Sequence, residues 1–570
     1  MPLFYVDMGL QNKMYKTSLT KSILFLLAIL ANLNYLLFID NPLHAGNPGF
    51  YILTAVADTI AACICLSTWV LALYFELSKS RYYRDLADLR RHGAHLLQQR
   101  VAVLVTAVNE DVSIVRNTLE CAQALVGEKT VYLLDDGKKD AYRDLADALG
   151  IRYITRPDNR FYKAGNLNHA LRHYVHEPFF LVMDADFAVH PTFLQRTMPC
   201  FADPRIAAIQ TPQVYSSDET LFARGSKHLQ DIFYQYIQPG KHLINSAFCV
   251  GTNVIFRTAA IHEVGGIVAS HSEDIFTTLR LQEHGYRILF LNEQLAVGLG
   301  PTTLISFYRQ QYRWARGGFF MLFKHNTLFN RKLHVEQRIQ FFLTNCFYFI
   351  GISVLIYLLS PLIAILLNIT PLSDAYTGAW LNAYVPFFCA NVLFGLALLK
   401  RYRMQSLLIG IFSHIPYLNA LRAEVFGWRI YKWKVTNQAS KGLITTLLVP
   451  YILYLAIGGT IVTFLVMGII IYNPALLFYY VWLALDMLMM FVFTVAGYAS
   501  TAQAHVPAIG QVTSVREMST AEVLAISAPR PRSLVIDDRQ TAKIAIEDEP
   551  TDRLIAVNGH RLWKGRRYHQ

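Results

Sequence analysis

Long unbroken apolar runs and one long stretch of short apolar bursts alternate along this chain. A bilayer core of ~30 Å needs roughly 20 helical residues at ~1.5 Å each. Runs near 22–39, 51–75, 341–367, 380–399, 444–472 and 475–499 meet that length. Lys13, Lys16 and Lys21 precede the first run, and no small-x-small cleavage site follows it, so an anchor is expected rather than a signal peptide. The loop 40–49 has almost no positive charge and should lie outside, which leaves Asp58 near the outer end of the second span and facing protein rather than lipid. Between 405 and 428, Leu407, Leu408, Ile411, Phe412, Ile415 and Leu418 recur at helical spacing, but His414, Pro416 and Asn419 interrupt. Lys400, Arg401 and Arg403 flank this segment on one side and Arg422, Arg429, Lys432 and Lys434 on the other, so it should lie along the cytoplasmic surface instead of crossing. About six spans then place both termini and the soluble stretch in the cytoplasm of a plasma (inner) membrane protein. Asp486, in the last span, is either a packing partner or part of a polar path.

The stretch from about 80 to 337 reads as soluble α/β. Val101-Ala102-Val103-Leu104-Val105, Val131-Tyr132-Leu133-Leu134 and Phe179-Phe180-Leu181-Val182-Met183 are short runs of the kind buried in a parallel sheet, each followed by polar residues. The endings are Asn109-Glu110, Asp135-Asp136-Gly137 and Asp184-Ala185-Asp186. Open α/β sheets bind ligands at such strand ends, so the three should converge on one crevice. The organisation expected is 1–79 with two spans, 80–337 catalytic, 338–500 a channel region with an interfacial helix and loop at about 405–443, and 501–570 a partly disordered or regulatory tail.

Composition agrees with this plan. The chain has 570 residues, 54% apolar and only 16% charged, which is too apolar for an ordinary soluble protein. Its formal charge of +12 sits beside apolar runs, the positive-inside pattern, and so argues for a membrane rather than nucleic acid. Seven scattered cysteines show no zinc spacing and no disulfide framework.

Asp184 and Asp186 can set two carboxylates beside a hard divalent cation, which fills its shell with water and substrate phosphates. Solvated strand-end aspartates are the commoner case for such a pair alone. Asp135-Asp136-Gly137 can hold a nucleoside, and Lys163-Ala164-Gly165-Asn166 supplies a cation for a diphosphate and a glycine before a helix. Ser272-Glu273-Asp274 opens a helix; Ser272 suits an N-cap, and the Glu273–Asp274 pair is left for chemistry, with Asp274 the candidate base. Gln310-Gln311-Tyr312-Arg313-Trp314 stands where the soluble stretch meets membrane. Trp314 offers an apolar face for a sugar, Arg313 a fork for phosphate and Gln310 an amide; an interfacial helix end is the plainer alternative.

In this order, Asp135-Asp136-Gly137, Asp184-Ala185-Asp186, Ser272-Glu273-Asp274 and Gln310-x-x-Arg313-Trp314 resemble the D, DxD, TED and QxxRW signature of processive family 2 glycosyltransferases. The chain is most similar to bacterial cellulose synthase catalytic subunits and other β-glucan synthases, with further matches at Gln210-Thr211-Pro212 and Phe248-Cys249-Val250-Gly251-Thr252. The resemblance implies a GT-A fold inserted between membrane helices, a UDP-sugar donor, Mg²⁺ or Mn²⁺, and a pore for the growing chain. It implies that Asp135 and Asp136 contact UDP, Lys163 the diphosphate, Asp184 and Asp186 the diphosphate and metal, and that Asp274 is the base. Glu273, Gln310, Arg313 and Trp314 would then bind substrate, and Trp433-Lys434-Val435-Thr436 would form a gating loop in which Trp433 and Thr436 meet the nucleotide.

Some features depart from that pattern. Trp433 stands for the usual Phe, Ser272 for the usual Thr, and the next lysine after Thr436 is Lys441. The tail is too short for the cyclic di-GMP-binding domain of bacterial cellulose synthases, so neither that control nor a cellulose product follows. The function expected is inverting, processive synthesis of a β-glucan from UDP-glucose and its export through the enzyme's own pore, with a possible envelope partner. A mixed-linkage or β-1,3-glucan is the alternative, then hyaluronan, chitin-type or poly-N-acetylglucosamine synthesis. Addition of one sugar to a lipid, and a non-enzymatic channel, are further readings.

Overall fold

The computed structural model describes residues 18–216, 220–270, 272–393, 404–427 and 441–502. Two helices begin it, α1 (Leu19–Ile39) and α2 (Pro48–His92), packed antiparallel across the short turn that joins them. With 45 residues, α2 is roughly 68 Å long at ~1.5 Å per residue. A bilayer core accounts for less than half of that, so α2 projects beyond the membrane.

Beyond α2 the chain builds a seven-stranded sheet. Its strands are β1 (Val101–Ala107), β2 (Lys129–Asp135), β3 (Arg152–Ile154), β4 (Phe179–Asp184), β6 (Ile206–Gln210), β7 (Val254–Arg257) and β8 (Arg287–Phe290), in the order β3-β2-β1-β4-β7-β6-β8. β5 (Phe187–Val189) and β9 (Ala296–Gly298) pair separately. β3, β2, β1 and β4 are parallel, whereas β7 runs antiparallel to both neighbours. This mixed sheet is the GT-A architecture expected from the sequence. The helix α3 (Tyr162–His173) follows β3, and α4 (Glu273–Glu283) precedes β8.

The period of two along β1 explains why the sheet is buried on both faces. Val101, Val103, Val105 and Ala107 join one apolar cluster while Ala102 and Leu104 join another. The first cluster also takes in Phe25 of α1 and Trp69, Phe75, Tyr82 and Leu86 of α2, so the sheet's core is continuous with the helices that lead to the membrane.

After β9 come α5 (Leu304–His325), α6 (Ile350–Leu367), α7 (His414–Phe426), α8 (Lys441–Val466) and α9 (Leu477–Ala502). Among the described residues, five helical stretches are long and apolar enough to cross a bilayer: Leu19–Ile39, Pro48–His92, Val335–Leu367, Leu447–Val466 and Pro474–Ser500. The sixth expected run, 380–399, begins as the helix Thr377–Phe388 and passes into residues outside the described set. The ambiguous segment near 405–428 is two short helices, Met404–Phe412 and α7, neither long enough to cross. The tail and the expected gating loop, with Trp433 and Thr436, lie outside the described residues.

Both intramembrane aspartates meet protein rather than lipid. Asp58 accepts hydrogen bonds from Tyr35 and Tyr357, each at 2.8 Å. Asp486 accepts from Tyr454 at 3.0 Å, which makes it a packing partner between α8 and α9.

Candidate active site

The register of the sheet fixes the floor of the crevice. Thr106 stands opposite Asp184 and Ala107 opposite Asp135, so β1, β2 and β4 end level with one another. Asp184 therefore emerges beside the turn 135–137, as the strand endings predict. Glu110 folds back on its own loop, accepting from the backbone N–H of Val108 at 2.7 Å and of Asn109 at 3.0 Å.

Asp135 and Asp136 are placed differently from the expectation that their carboxylates face a nucleoside. Asp135 is fully buried and accepts from the N–H groups of Gly137, Lys138 and Lys139 and from the Tyr153 hydroxyl at 2.6–3.0 Å. Asp136 is clamped by Arg156, whose Nε and Nη2 donate to its two oxygens at 2.6 and 2.7 Å. Both carboxylates hold loops, because a buried charge must be paired or saturated with donors. Arg156 gave no signal in the sequence.

Lys163 does reach the crevice. Its ammonium pairs with Asp184 and donates to the Gly251 carbonyl at 2.7 Å. Burial alone would lower its pKa, but Asp184 and Glu273 more than offset that and raise it. Gly165 lies inside α3 rather than before it. A Cβ there would stand 2.1 Å from the Arg160 carbonyl, so only glycine lets the loop before the helix fold back on it.

Asp186 has its carboxyl pushed well above the ordinary range by burial, then by Asp184 and Glu110. Asp274 is raised as well, by burial and by Glu273, against the opposing pull of the Ile275 N–H, Arg313 and Lys163. It sits in the first turn of α4, and its Oδ2 is 3.4 Å from where a Cβ on Gly251 would stand. Lys163 and Asp274 thus approach the same glycine. Ser272 occupies the N-cap position but makes no capping hydrogen bond. Its hydroxyl instead packs onto α5 at Gly317, where a Cβ would be 1.7 Å away.

Gln310, Arg313 and Trp314 share one face of α5, at helical spacings of three and four. Arg313 acts electrostatically on both Lys163 and Asp274, which ties this face to the carboxylates. Gln310 donates to the Tyr215 hydroxyl at 3.2 Å, and Tyr215 in turn lies within the field of Asp186 and Asp184. Tyr215 is a buried tyrosine, indistinguishable by residue type from a core residue, and the sequence did not mark it. On the far side α7 braces α5: Tyr417 donates to Gln311 at 3.0 Å and Arg316 to Glu424 at 2.7 Å.

This arrangement can be set beside known proteins. Residues 102–265 match the model for glycosyl transferase family 2, and residues 257–393 the model for cellulose synthase. Residues 102–265 are thus similar to family 2 glycosyltransferases. The cellulose synthase catalytic subunit (UDP-forming) of Xanthomonas axonopodis pv. citri (strain 306) is 33% identical over 286 residues, 48% of this chain and 39% of that one. The cellulose synthase 1 catalytic subunit (UDP-forming) of Komagataeibacter xylinus is 34% identical over 272 residues, 46% of this chain and 36% of the relative. The matched part therefore spans well under half the length of these curated relatives. The structure of S. aureus TarS 1-349 in complex with UDP-GlcNAc aligns with 60% of this chain and 97% of that chain at 15% identity, with a TM-score of 0.31. The four motifs fall inside the two matched segments, as the resemblance implies.

Proposed function

We propose that this chain is a membrane-embedded, processive, inverting glycosyltransferase that builds a β-linked, cellulose-like glucan from UDP-glucose. One observation carries the reading: Lys163 and Asp274 converge on Gly251, so a cation for a leaving diphosphate and a carboxylate for an attacking hydroxyl flank one small space. In that space the acceptor hydroxyl gives its proton to Asp274 while its oxygen bonds to the anomeric carbon of the donor. The bond from that carbon to the phosphate oxygen breaks, and UDP leaves with the electron pair. Attack opposite the leaving group inverts the anomeric centre and turns an α-linked donor into a β-linked product.

Asp184 and Asp186 would hold Mg²⁺ or Mn²⁺. The fit is chemical: two carboxylates suit a hard cation that takes its other oxygens from phosphate and water, and Asp184 already pairs with a positive charge, that of Lys163. When bound, the ion would neutralise charge on the departing diphosphate. Asp135 and Asp136 then shape the nucleoside's side of the crevice by fixing its loops. Glu273 holds Asp274 in its raised state, Gln310 and Arg313 reach donor phosphate, and Trp314 stacks against the acceptor's terminal sugar. Trp433 and Thr436 would close over the nucleotide.

The same reading divides the chain as expected, with 80–337 catalytic and cytoplasmic, 338–500 the export path, and Lys- and Arg-rich flanks on the cytoplasmic side of the plasma membrane. Membranes supplied with radiolabelled UDP-glucose and Mg²⁺ test it. A high-molecular-weight product sensitive to a β-1,4-glucanase is expected; sensitivity only to a β-1,3-glucanase changes the linkage. A short lipid-soluble product, or no turnover of any UDP-sugar, overturns the proposal.

A further inference from the structure

A strap of chain crosses the crevice. It starts at Arg156, just after β3, and ends at Lys163, which reaches Asp184 at the end of β4. β2 and β1 lie between those two strands, a gap of three strand spacings or roughly 14 Å. The strap therefore runs over the ends of β2 and β1, at the edge where open sheets receive ligands.

Its path is held at several points. Arg156 is fixed by both oxygens of Asp136 and donates to the carbonyls of Arg160 at 2.6 Å and Tyr162 at 2.9 Å. Asn159 donates to the Asp136 carbonyl at 2.7 Å. Held this way, Phe161 and Tyr162 adopt left-handed backbone at φ 61° and 48°. That region is unfavourable for bulky side chains, and such strain persists only where surroundings over-determine it, commonly at ligand sites. Burial gives no compensation, since Phe161 is 64% and Tyr162 58% exposed.

The nearby carboxylates of Asp135 and Asp136 are already engaged within the protein and offer no flat apolar face, so a nucleobase that stacks needs another surface. We propose that Phe161 and Tyr162 form the stacking face for the base of the donor nucleotide, while the adjacent Lys163 takes its diphosphate. This assignment rests on the reading of the chain as a UDP-sugar enzyme. The clamp of Asp136 and Arg156 is then the positioning device that keeps the aromatic face open before the donor arrives.

The test compares two inhibitors of the full-length enzyme in membranes, UDP and inorganic pyrophosphate, which has no base. The double variant Phe161→Ala/Tyr162→Ala should weaken inhibition by UDP about ten-fold or more, the scale of base–aromatic stacking, and leave inhibition by pyrophosphate unchanged. Phe161→Trp/Tyr162→Trp should restore UDP. Parallel weakening of both inhibitors would mean the loop has merely loosened, and unchanged UDP inhibition would mean the aromatics face elsewhere; either overturns the assignment alone. If the unmodified enzyme is turned over and inhibited by no uridine nucleotide, the donor reading fails, and this inference with it.

Discussion

Under the proposed function Asp274 is asked to do something burial opposes, because a base must be ionised and its surroundings favour the protonated form. Its pKa is raised by burial and by Glu273, so the two consequences of raising pH have opposite signs. Turnover should climb as pH rises above the ordinary carboxylate range of ~4 and Asp274 loses its proton. Over the same window the ligand-free fold should lose stability, since a raised carboxyl pKa stabilises below the unfolded value and that contribution disappears as pH passes the folded one. Asp274→Asn should abolish polymer formation, retain UDP binding, and flatten Asp274's share of the pH-dependence of unfolding. Polymer yield near that of the unmodified enzyme would remove Asp274 from the role. Trp314→Ala should shorten the product through lost stacking, measured as chain length at equal donor consumption. At this scale the sequence marked Asp184 and Lys163, which the fold brings together as a pair. It was silent on Arg156 and Tyr215, whose significance comes only from partners 20 and 95 residues away.

Elements were legible where burial imposes a period. β1, β2 and β4 read as strands because both faces are covered, whereas for 310–314 a helix end was only the plainer alternative and the helix α5 runs on through them. Less legible were the junctions. Ser272 has the residue type of a cap, yet its hydroxyl is directed at α5, and only the absence of a side chain at Gly317 allows α4 and α5 to approach so closely. Gly165 was read as preceding a helix that in fact includes it, because a loop folding back on a helix leaves no periodic trace. The contact at Ser272 sets the distance between the element bearing Asp274 and the one bearing Trp314. Under the proposed function, Gly317→Ala should therefore separate base from acceptor platform and cut turnover strongly, with donor binding less affected. Because the obstructing atom is the Ser272 hydroxyl, Gly317→Ala combined with Ser272→Gly should recover activity that Gly317→Ala alone has lost. Equal activity of the two variants would show that this spacing does not govern transfer.

For the molecule as a whole, α2 joins the apolar helices to the α/β layer. It runs from its apolar half into the α/β layer without a break, and its far half is fastened to the sheet's edge rather than lying beside it. Tyr82 donates to the Phe290 carbonyl at 2.7 Å and accepts from the Asn292 N–H at 2.9 Å, so one hydroxyl satisfies two backbone groups at the outer, unpaired edge of β8. Arg90 continues the attachment, pairing with Glu293 at 2.9 Å, and Arg196 meets the same carboxylate at 2.7 Å. Under the proposed function, in which product advances through the bilayer one sugar at a time, such a joint helps, because displacement of the active site relative to the span would misplace the acceptor. Tyr82→Phe tests the joint with little change of shape. It leaves two backbone groups without their partner at a cost of about 1–3 kcal/mol, confined to the strand edge. Hydrogen exchange at the Asn292 amide should accelerate while exchange in β1 stays as it was, and insertion of α2 into membranes should not change. Under the proposed function, product chains should also become shorter at nearly the same rate of donor hydrolysis. Faster exchange throughout the sheet would instead mean that Tyr82 supports the fold generally and that the registry between layers is kept elsewhere.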